Sequence, residues 1–240
     1  MAEVVIDCMD VWTTGGPAGK LETGELTWAA AWAQTVALDY TKYFGAYVNS
    51  VHPWGDNYIL HRGFIAFDTS VIPTASVLNS AVLRFTSGYK VLDKTDSMSF
   101  TLLSSEPLDN PLYPGISPLA MTDFNRVLYT ETVVGHDFTG LVWDGTQYVL
   151  DVVVSADAFV FSTYPELAYI LKGVGAVTKF CLMCDYDTNN VAPGSVGANR
   201  VYGMQAYGAV EDAAIKLVVD YTEVSEQVVR TDQVSGVNLG

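Results

Sequence analysis

The sequence predicts an all-β protein, a jelly-roll-like antiparallel β-sandwich with one short helix and extended N- and C-terminal arms. Three observations support this class: a central strand that is apolar on both faces, several further short alternating segments, and turn residues between them. The chain has 240 residues, 50% of them hydrophobic and 16% charged, which is typical of a folded protein with a full core. We divide it into an arm at 1–22, a β-sandwich domain at 23–222 and a tail at 223–240.

The central strand of this prediction runs from Tyr58 to Phe67. Its apolar side chains occupy both sides of a two-residue period, as expected of a strand that is covered on both faces. Asp68 and Pro73 then turn the chain, because a short polar side chain bonds the nearby backbone and proline cannot continue a central ladder. In the next strand Ala81, Leu83 and Phe85 alternate with Val82, Arg84 and Thr86, so this strand has one face to bury.

The remaining elements follow from shorter patterns. Further strands are predicted at 43–51, 98–104, 147–154, 177–184, 202–207 and 215–221. The segment 26–37 fits either a helix or a strand, and we expect its two tryptophans to lie in the core. The helix is predicted at about 164–172, because Pro165 suits a first helical turn and Gly173 is a typical stop.

Two blocks of sequence carry a family resemblance. The first, between Arg62 and Leu83, has the pattern R-x-F-x-x-F-D-T-S-x-I-P followed by S-A-x-L; the second, G-x-V-T-K-F-x-L, begins at Gly175. With the closing strand that ends at Tyr221, the chain resembles DNRLRE-type β-sandwich modules. These are relatives of carbohydrate-binding modules found in bacterial extracellular proteins and phage structural proteins. The resemblance implies a jelly-roll-like fold and carries over no catalytic residue.

Charge and hydropathy limit the partners. Lys and Arg total 12 against 27 Asp and Glu, a formal net charge of −15, so the chain repels phosphate backbones and we expect no nucleic-acid partner. No segment approaches the roughly 18 apolar residues of a membrane helix, and the first residues lack the basic start and apolar run of a signal peptide. We therefore expect neither a membrane partner nor a signal for export.

These observations predict a non-enzymatic virion structural protein, a phage capsid decoration, fibre or tail-associated β-sandwich. An extracellular-type module without a signal is typical of a virion protein, which reaches the outside when the host lyses. Its partners would be other virion proteins, and a homo-oligomer would form through the terminal arms, because a neighbouring subunit is the simplest structure to hold polar ends. The alternative is a carbohydrate-binding or cell-surface adhesion module.

Glycan binding requires an exposed aromatic ring beside a few polar groups. Two stretches offer this combination: Trp54 with Asp56 and Asn57, and Trp143 with Asp144 and Gln147. Both tryptophans fit equally well as hydrophobic plugs at the edges of the sandwich, so the sequence leaves the choice open.

A weak calcium candidate lies near residue 185. Asp185, Asp187 and Asn189 occupy alternate positions, as at the start of a calcium loop. Asn190, however, stands where the sharp-turn glycine belongs, and Val196 where the bidentate glutamate belongs. A polar loop is the alternative interpretation, and we expect no cofactor.

The other reactive side chains show no catalytic spacing. The three histidines are scattered, and the chain has neither a nucleophile elbow nor a phosphate-binding glycine loop before a helix. Cys181 and Cys184 fall on opposite faces of a predicted strand, so we expect buried thiols rather than a disulfide or a metal site. The expectation is therefore a protein that is not an enzyme.

Overall fold

The computed structural model describes residues 1–9, 19–25, 27–41, 45–51, 57–85, 89–92, 97–104, 121–129, 131–139, 142–143, 148–149, 156–162, 164–192, 200–206 and 215–224. Within these ranges the chain forms two main antiparallel sheets, a smaller and a larger one, that stack as a sandwich. The predicted all-β sandwich is confirmed.

In chain order the strands are β1 (Ala2–Asp7), β2 (Gly19–Glu25), β3 (Asp39–Thr41), β4 (Gly45–Val51), β5 (Asn57–Asp68), β6 (Val77–Phe85), β7 (Tyr89–Leu92), β8 (Ser97–Ser104), β9 (Glu131–Thr139), β10 (Val142–Trp143), β11 (Tyr148–Val149), β12 (Ala156–Phe161), β13 (Val177–Cys184), β14 (Arg200–Ala206) and β15 (Ile215–Thr222). The described residues also form three short helices, α1 (Trp28–Trp32), α2 (Tyr164–Leu167) and α3 (Asp185–Thr188), and 3-10 turns at Thr69–Val71, Met121–Phe124 and Arg126–Leu128. The smaller sheet has the order β1-β15-β6-β12. The larger has the order β7-β14-β4-β5-β13-β8-β9, with β2 paired to β5 and β3.

β5 is the centre of the larger sheet, as the sequence predicts. It pairs with β2 on one side and with β4 and then β13 on the other. One face looks into the sandwich: the Phe180 ring on β13, opposite Ile65 in register, lies 5.5 Å from the Phe161 ring of the smaller sheet. Burial of this face joins the two sheets.

The other face of β5 is covered by a third layer made of short helical elements. The rings of Trp28 and Tyr58 meet edge to face at 5.9 Å, and those of Phe64 and Tyr129 lie 6.0 Å apart. The ambiguous segment 26–37 therefore contains a helix, and its Trp28 lies in the core as expected. Because β5 is covered on both faces, its apolar residues need no alternation.

The first strand corrects the predicted N-terminal arm. Residues 2–7 pair antiparallel along β15, and Ile6 and Cys8 are buried in the core. Cys8 then bridges to β5, so the chain passes from the smaller sheet to the larger. β2 begins at Gly19, and the segment 1–22 thus contributes strands to both sheets.

The ends of the chain bear on the predicted role of the arms. β1 is held by hydrogen bonds to β15 of the same chain, so the order of this segment requires no neighbouring subunit. β15 ends at Thr222, at the predicted domain boundary. Residues 225–240, most of the predicted tail, lie outside the described residues.

The helix predicted at about 164–172 is shorter than expected, because α2 is a single turn that ends at Leu167. Beyond it, the backbone N–H of Leu171 donates to Thr178 Oγ1 at 2.9 Å, and that of Gly173 donates to the Ile72 carbonyl at 2.8 Å. Bonds to neighbouring elements therefore replace the helical ones. Leu167 and Ile170 are nevertheless buried in the core.

Candidate functional site

The structure describes only part of the glycan candidates. Asn57 is the first residue of β5, and Trp143 lies in β10 opposite Tyr148 of β11. Trp54, Asp56, Asp144 and Gln147 lie outside the described residues. Tyr148 and Val149 of β11 lie within the strand predicted at 147–154, and glycan binding stays a prediction.

Asp187, the middle residue of the calcium candidate, is already bound by an arginine. Its Oδ2 accepts from Arg62 Nε at 2.8 Å, and its Oδ1 accepts from Arg62 Nη2 at 2.9 Å. Both side chains are fully buried. Residues 185–188 form α3 rather than an open loop, so the two carboxylate oxygens of Asp187 face the guanidinium and not a cation site.

The Arg62–Asp187 pair fastens the covering layer to the larger sheet. Arg62 Nη1 also donates to the Phe124 carbonyl, and its guanidinium carbon lies 4.2 Å from the centroid of the Phe124 ring. Trp32 Nε1 donates to the Asp187 carbonyl at 2.8 Å, and Trp28 Nε1 donates to Asn190 Oδ1 at 3.0 Å. These bonds tie β5, α1, α3 and the turn at Met121–Phe124 together.

Arg62 stays charged in this cluster because its buried partner is the Asp187 carboxylate. Burial alone lowers the pKa of Arg62, but the charge and hydrogen bonds of Asp187 outweigh it, so the pKa is raised and the guanidinium stays charged. The ion pair is sealed from water, and its donors and acceptors are directed at one another. We conclude that it fixes these elements relative to one another and presents no group to a substrate.

The thiols near this pair are buried, as the sequence predicts. Cys8, Cys181 and Cys184 are buried thiols that form no disulfide. Burial, and then the charge of Asp187, raises the pKa of Cys184 well above its ordinary value. A thiol in this state is a poor nucleophile, because the thiolate is the reactive form.

The outer face of the smaller sheet carries an exposed apolar feature. The register aligns Val5 with Val218, Val218 with Val82, and Val82 with Val160, one valine from each strand. We call these four residues the valine row. Its outer members, Val5 and Val160, are 49% and 47% exposed, whereas Val218 in its middle is 6% exposed. The solvent face of an antiparallel sheet is ordinarily polar, so this row is a candidate interaction surface.

Charged rows lie on both sides of the valine row, one step of the pleat away. The acidic row contains Glu3 and Asp220, which are register partners, and Ser80 beside them. The mixed row contains Asp7, Lys216 and Arg84; Lys216 Nζ lies 2.7 Å from Asp7 Oδ1. The register also sets Asp157 of β12 opposite Arg84, so the face holds four acidic and two basic positions, and both basic ones lie in the mixed row.

An apolar groove opens beside the end of this face. It has a volume of about 760 Å³, and its apolar lining includes Val77, Leu78, Leu167, Ile170, Leu171 and Val174. Lys172 also lines it, and its Nζ donates to the Ser76 carbonyl. Val77 and Val174 expose most of their side chains at its rim. The groove lengthens the apolar surface available near β6.

A scan of family models, a search of curated proteins and a search of solved structures each found no match to the chain. The resemblance to DNRLRE-type modules therefore stays a prediction. In the part of the chain that the structure describes, every helix is too short or too polar to cross a bilayer.

Sequence reasoning missed the valine row and the buried pair for different reasons. Alternation places Val82 on the outer face of its strand, but the alignment with Val5 and Val160 depends on a register that no single strand reveals. Arg62 carries a detectable signal, a charge within a strand that is otherwise apolar on both faces. Its partner Asp187 lies 125 residues further along the chain.

Proposed function

We propose that this chain is a non-enzymatic structural subunit of a virion, a capsid decoration, fibre or tail-associated β-sandwich that binds other virion proteins through a sheet face. The observation that carries the proposal is the valine row, an apolar strip that crosses all four strands of the smaller sheet and ends in valines about half exposed. An apolar strip with exposed ends and a charged border is typical of a protein interaction surface.

The buried Arg62–Asp187 pair supports the same role. A subunit that acts by contact needs a rigid frame behind its surface, and this pair fixes the covering layer to the larger sheet. The described reactive groups near it, the thiols and the guanidinium, are turned inward. In this proposal the protein functions in the virion, and outside the cell once particles are released.

Mass spectrometry of particles purified through a density gradient tests the proposal. We expect the chain to co-purify with the particles at a constant ratio to the major virion proteins and to stay with them through a second gradient. A variant with both edge valines changed, Val5→Glu with Val160→Glu, should fold and yet be depleted from particles. A chain that is found only in the soluble fraction would refute the assignment.

Carbohydrate binding or cell-surface adhesion is the second proposal, and the observation behind it is the position of Trp143. This residue ends β10 next to residues 144–147, which join it to β11, and so it belongs to a hairpin. A glycan array tests this function, with Trp54→Ala and Trp143→Ala as variants. Retained binding by both variants would exclude these two sites.

A further inference from the structure

We infer that the outer face of the smaller sheet binds a second copy of this chain, in a two-fold arrangement whose axis runs along the valine row. This inference deepens the proposed function, on which its biological meaning rests, by naming the partner of that face. It follows from the order of the three rows on the face and from the symmetry of a contact between two identical surfaces.

A two-fold axis along the valine row turns the second copy over and exchanges its two flanking rows. The acidic row of one copy then lies over the mixed row of the other: Asp220 faces Lys216 of the partner copy, Ser80 faces Arg84 and Glu3 faces Asp7, and each pair occurs twice. Lys216 has three N–H donors and uses one on Asp7 of its own chain, which leaves donors for the partner's carboxylate.

The alternative axis, along the strands, gives a worse match. It would place each row over the same row of the other copy, so that the acidic rows meet each other and Lys216 approaches Arg84 of the other copy. Like charges at such distances oppose association. The axis along the valine row is therefore the better electrostatic match of the two, because it sets the acidic row against the row that contains both cations, and it brings each valine of the row near its own counterpart.

The valines supply the apolar contact between the copies. Val5 and Val160 stand at the two ends of the row on the edge strands, and Val82 is half-buried between them. A second sheet stacked at about 10 Å, the spacing of packed sheets, would bury all of them. The two copies would then resemble a small sandwich made of two identical faces.

The contact is expected to be weak. Four strands about 4.8 Å apart, each with six residues about 3.4 Å apart, give a face of roughly 400 Å² per copy. The total of roughly 800 Å² is below the roughly 1,200 Å² of a standard stable interface. We expect self-association in the micromolar to millimolar range, which becomes effective when copies are held close together on a particle.

Sedimentation velocity of the full chain over a concentration series, at physiological ionic strength, tests the contact. Each chain carries a charge of −15, so salt is needed to screen the long-range repulsion between copies. We expect a reversible monomer–dimer equilibrium. Val160→Glu should weaken it at least about tenfold, a loss of roughly 1.4 kcal/mol. Val127→Glu, which changes a valine that is 71% exposed but lies off the sheets, should leave it unchanged.

Cross-linking tests the direction of the axis. Val160→Cys, treated with a short bismaleimide, should give a homodimer, because the proposed axis brings the two copies of residue 160 together. The strand-parallel axis would instead bring residue 160 near residue 5 of the other copy. The native thiols are buried, and Val127→Cys is the matched control. Cross-linking of a Val5→Cys and Val160→Cys mixture without Val160→Cys homodimers would overturn the proposed axis.

The failures of the two proposals are distinguishable. A chain that sediments as a monomer at every concentration, yet co-purifies with particles, would overturn the self-contact and leave the virion role intact. An unchanged equilibrium in Val160→Glu would also overturn the self-contact. A chain that dimerises as described but is absent from particles would refute the virion role alone.

Discussion

Removal of the charge on Asp187 should destabilise the protein strongly, because it would leave Arg62 charged and buried without its partner. Asp187→Asn preserves the shape of the side chain but removes the anion that faces Arg62 Nε and Nη2. Breaking one side of a buried ion pair costs about 3–5 kcal/mol. For a domain of this size, the midpoint of thermal unfolding should fall by roughly 6–20 °C.

The double variant Arg62→Met with Asp187→Leu should lose less stability than Asp187→Asn. It removes both charges, and well-packed apolar replacements of a buried pair are often neutral. The Phe124 carbonyl would lose the N–H that Arg62 donates, which costs about 1–3 kcal/mol for an unsatisfied buried acceptor. The Asp187 carbonyl keeps its bond from Trp32, since that acceptor is backbone.

Urea unfolding followed by tryptophan fluorescence measures these differences. The free energies of unfolding are compared only between variants whose free energy depends equally steeply on urea concentration. Asp7→Asn is the matched control, because it removes a carboxylate 2.7 Å from Lys216 on the exposed face. Exposed pairs contribute about 0–1 kcal/mol, so its effect should be small. The reasoning would be refuted by a loss below about 1 kcal/mol for Asp187→Asn, or by a double variant less stable than the single one.

Three further predictions concern the backbone, the thiols and calcium. Gly173→Ala should lower the free energy of unfolding by about 1–3 kcal/mol, because φ is +94° and a Cβ would lie 2.3 Å from Thr74 Oγ1. Gly175→Ala, at φ +74° in open space, should cost less, and Thr74→Ala should rescue part of the Gly173→Ala loss in urea unfolding. The raised pKa of Cys184 makes stability fall as the pH rises above 9.0, the ordinary pKa of the thiol. There the unfolded thiol ionises and the buried one does not, so a titration of unfolding should show a slope of about −1.4 kcal/mol per pH unit that Cys184→Ala removes. Thermal melting with and without EDTA should coincide, since Asp187 is bound by an arginine; a lower midpoint in EDTA would contradict this.

The sequence predicts those strands well whose own side chains decide their position. β5, β8, β13 and β15 lie within a residue or two of the expected ranges, because their apolar residues mark buried faces directly. β2, with the sequence GKLETGE, has no such pattern. It becomes a strand because an edge of β5 is available for pairing, which is a property of the assembled sheet.

β1 and the candidate surface show what a single strand cannot reveal. Ala2, Val4 and Ile6 alternate with polar or exposed residues, a signal for a strand that is too short to distinguish β1 from an extended arm. The valine row depends on the register between four strands from distant parts of the chain. Such an alignment is a tertiary property, so sequence reasoning could identify an outward face but not the surface it forms.

The position of β15 sets when the protein can fold during translation. This strand lies between β1 and β6 in the smaller sheet, so the gap between two earlier-synthesised strands is filled by one that is translated after every other described strand. Until then, β1 and β6 each have an unpaired edge whose backbone groups can pair with another chain. A premature stop before residue 215 would therefore remove the middle of a sheet rather than trim its end, and we expect the truncated product to aggregate.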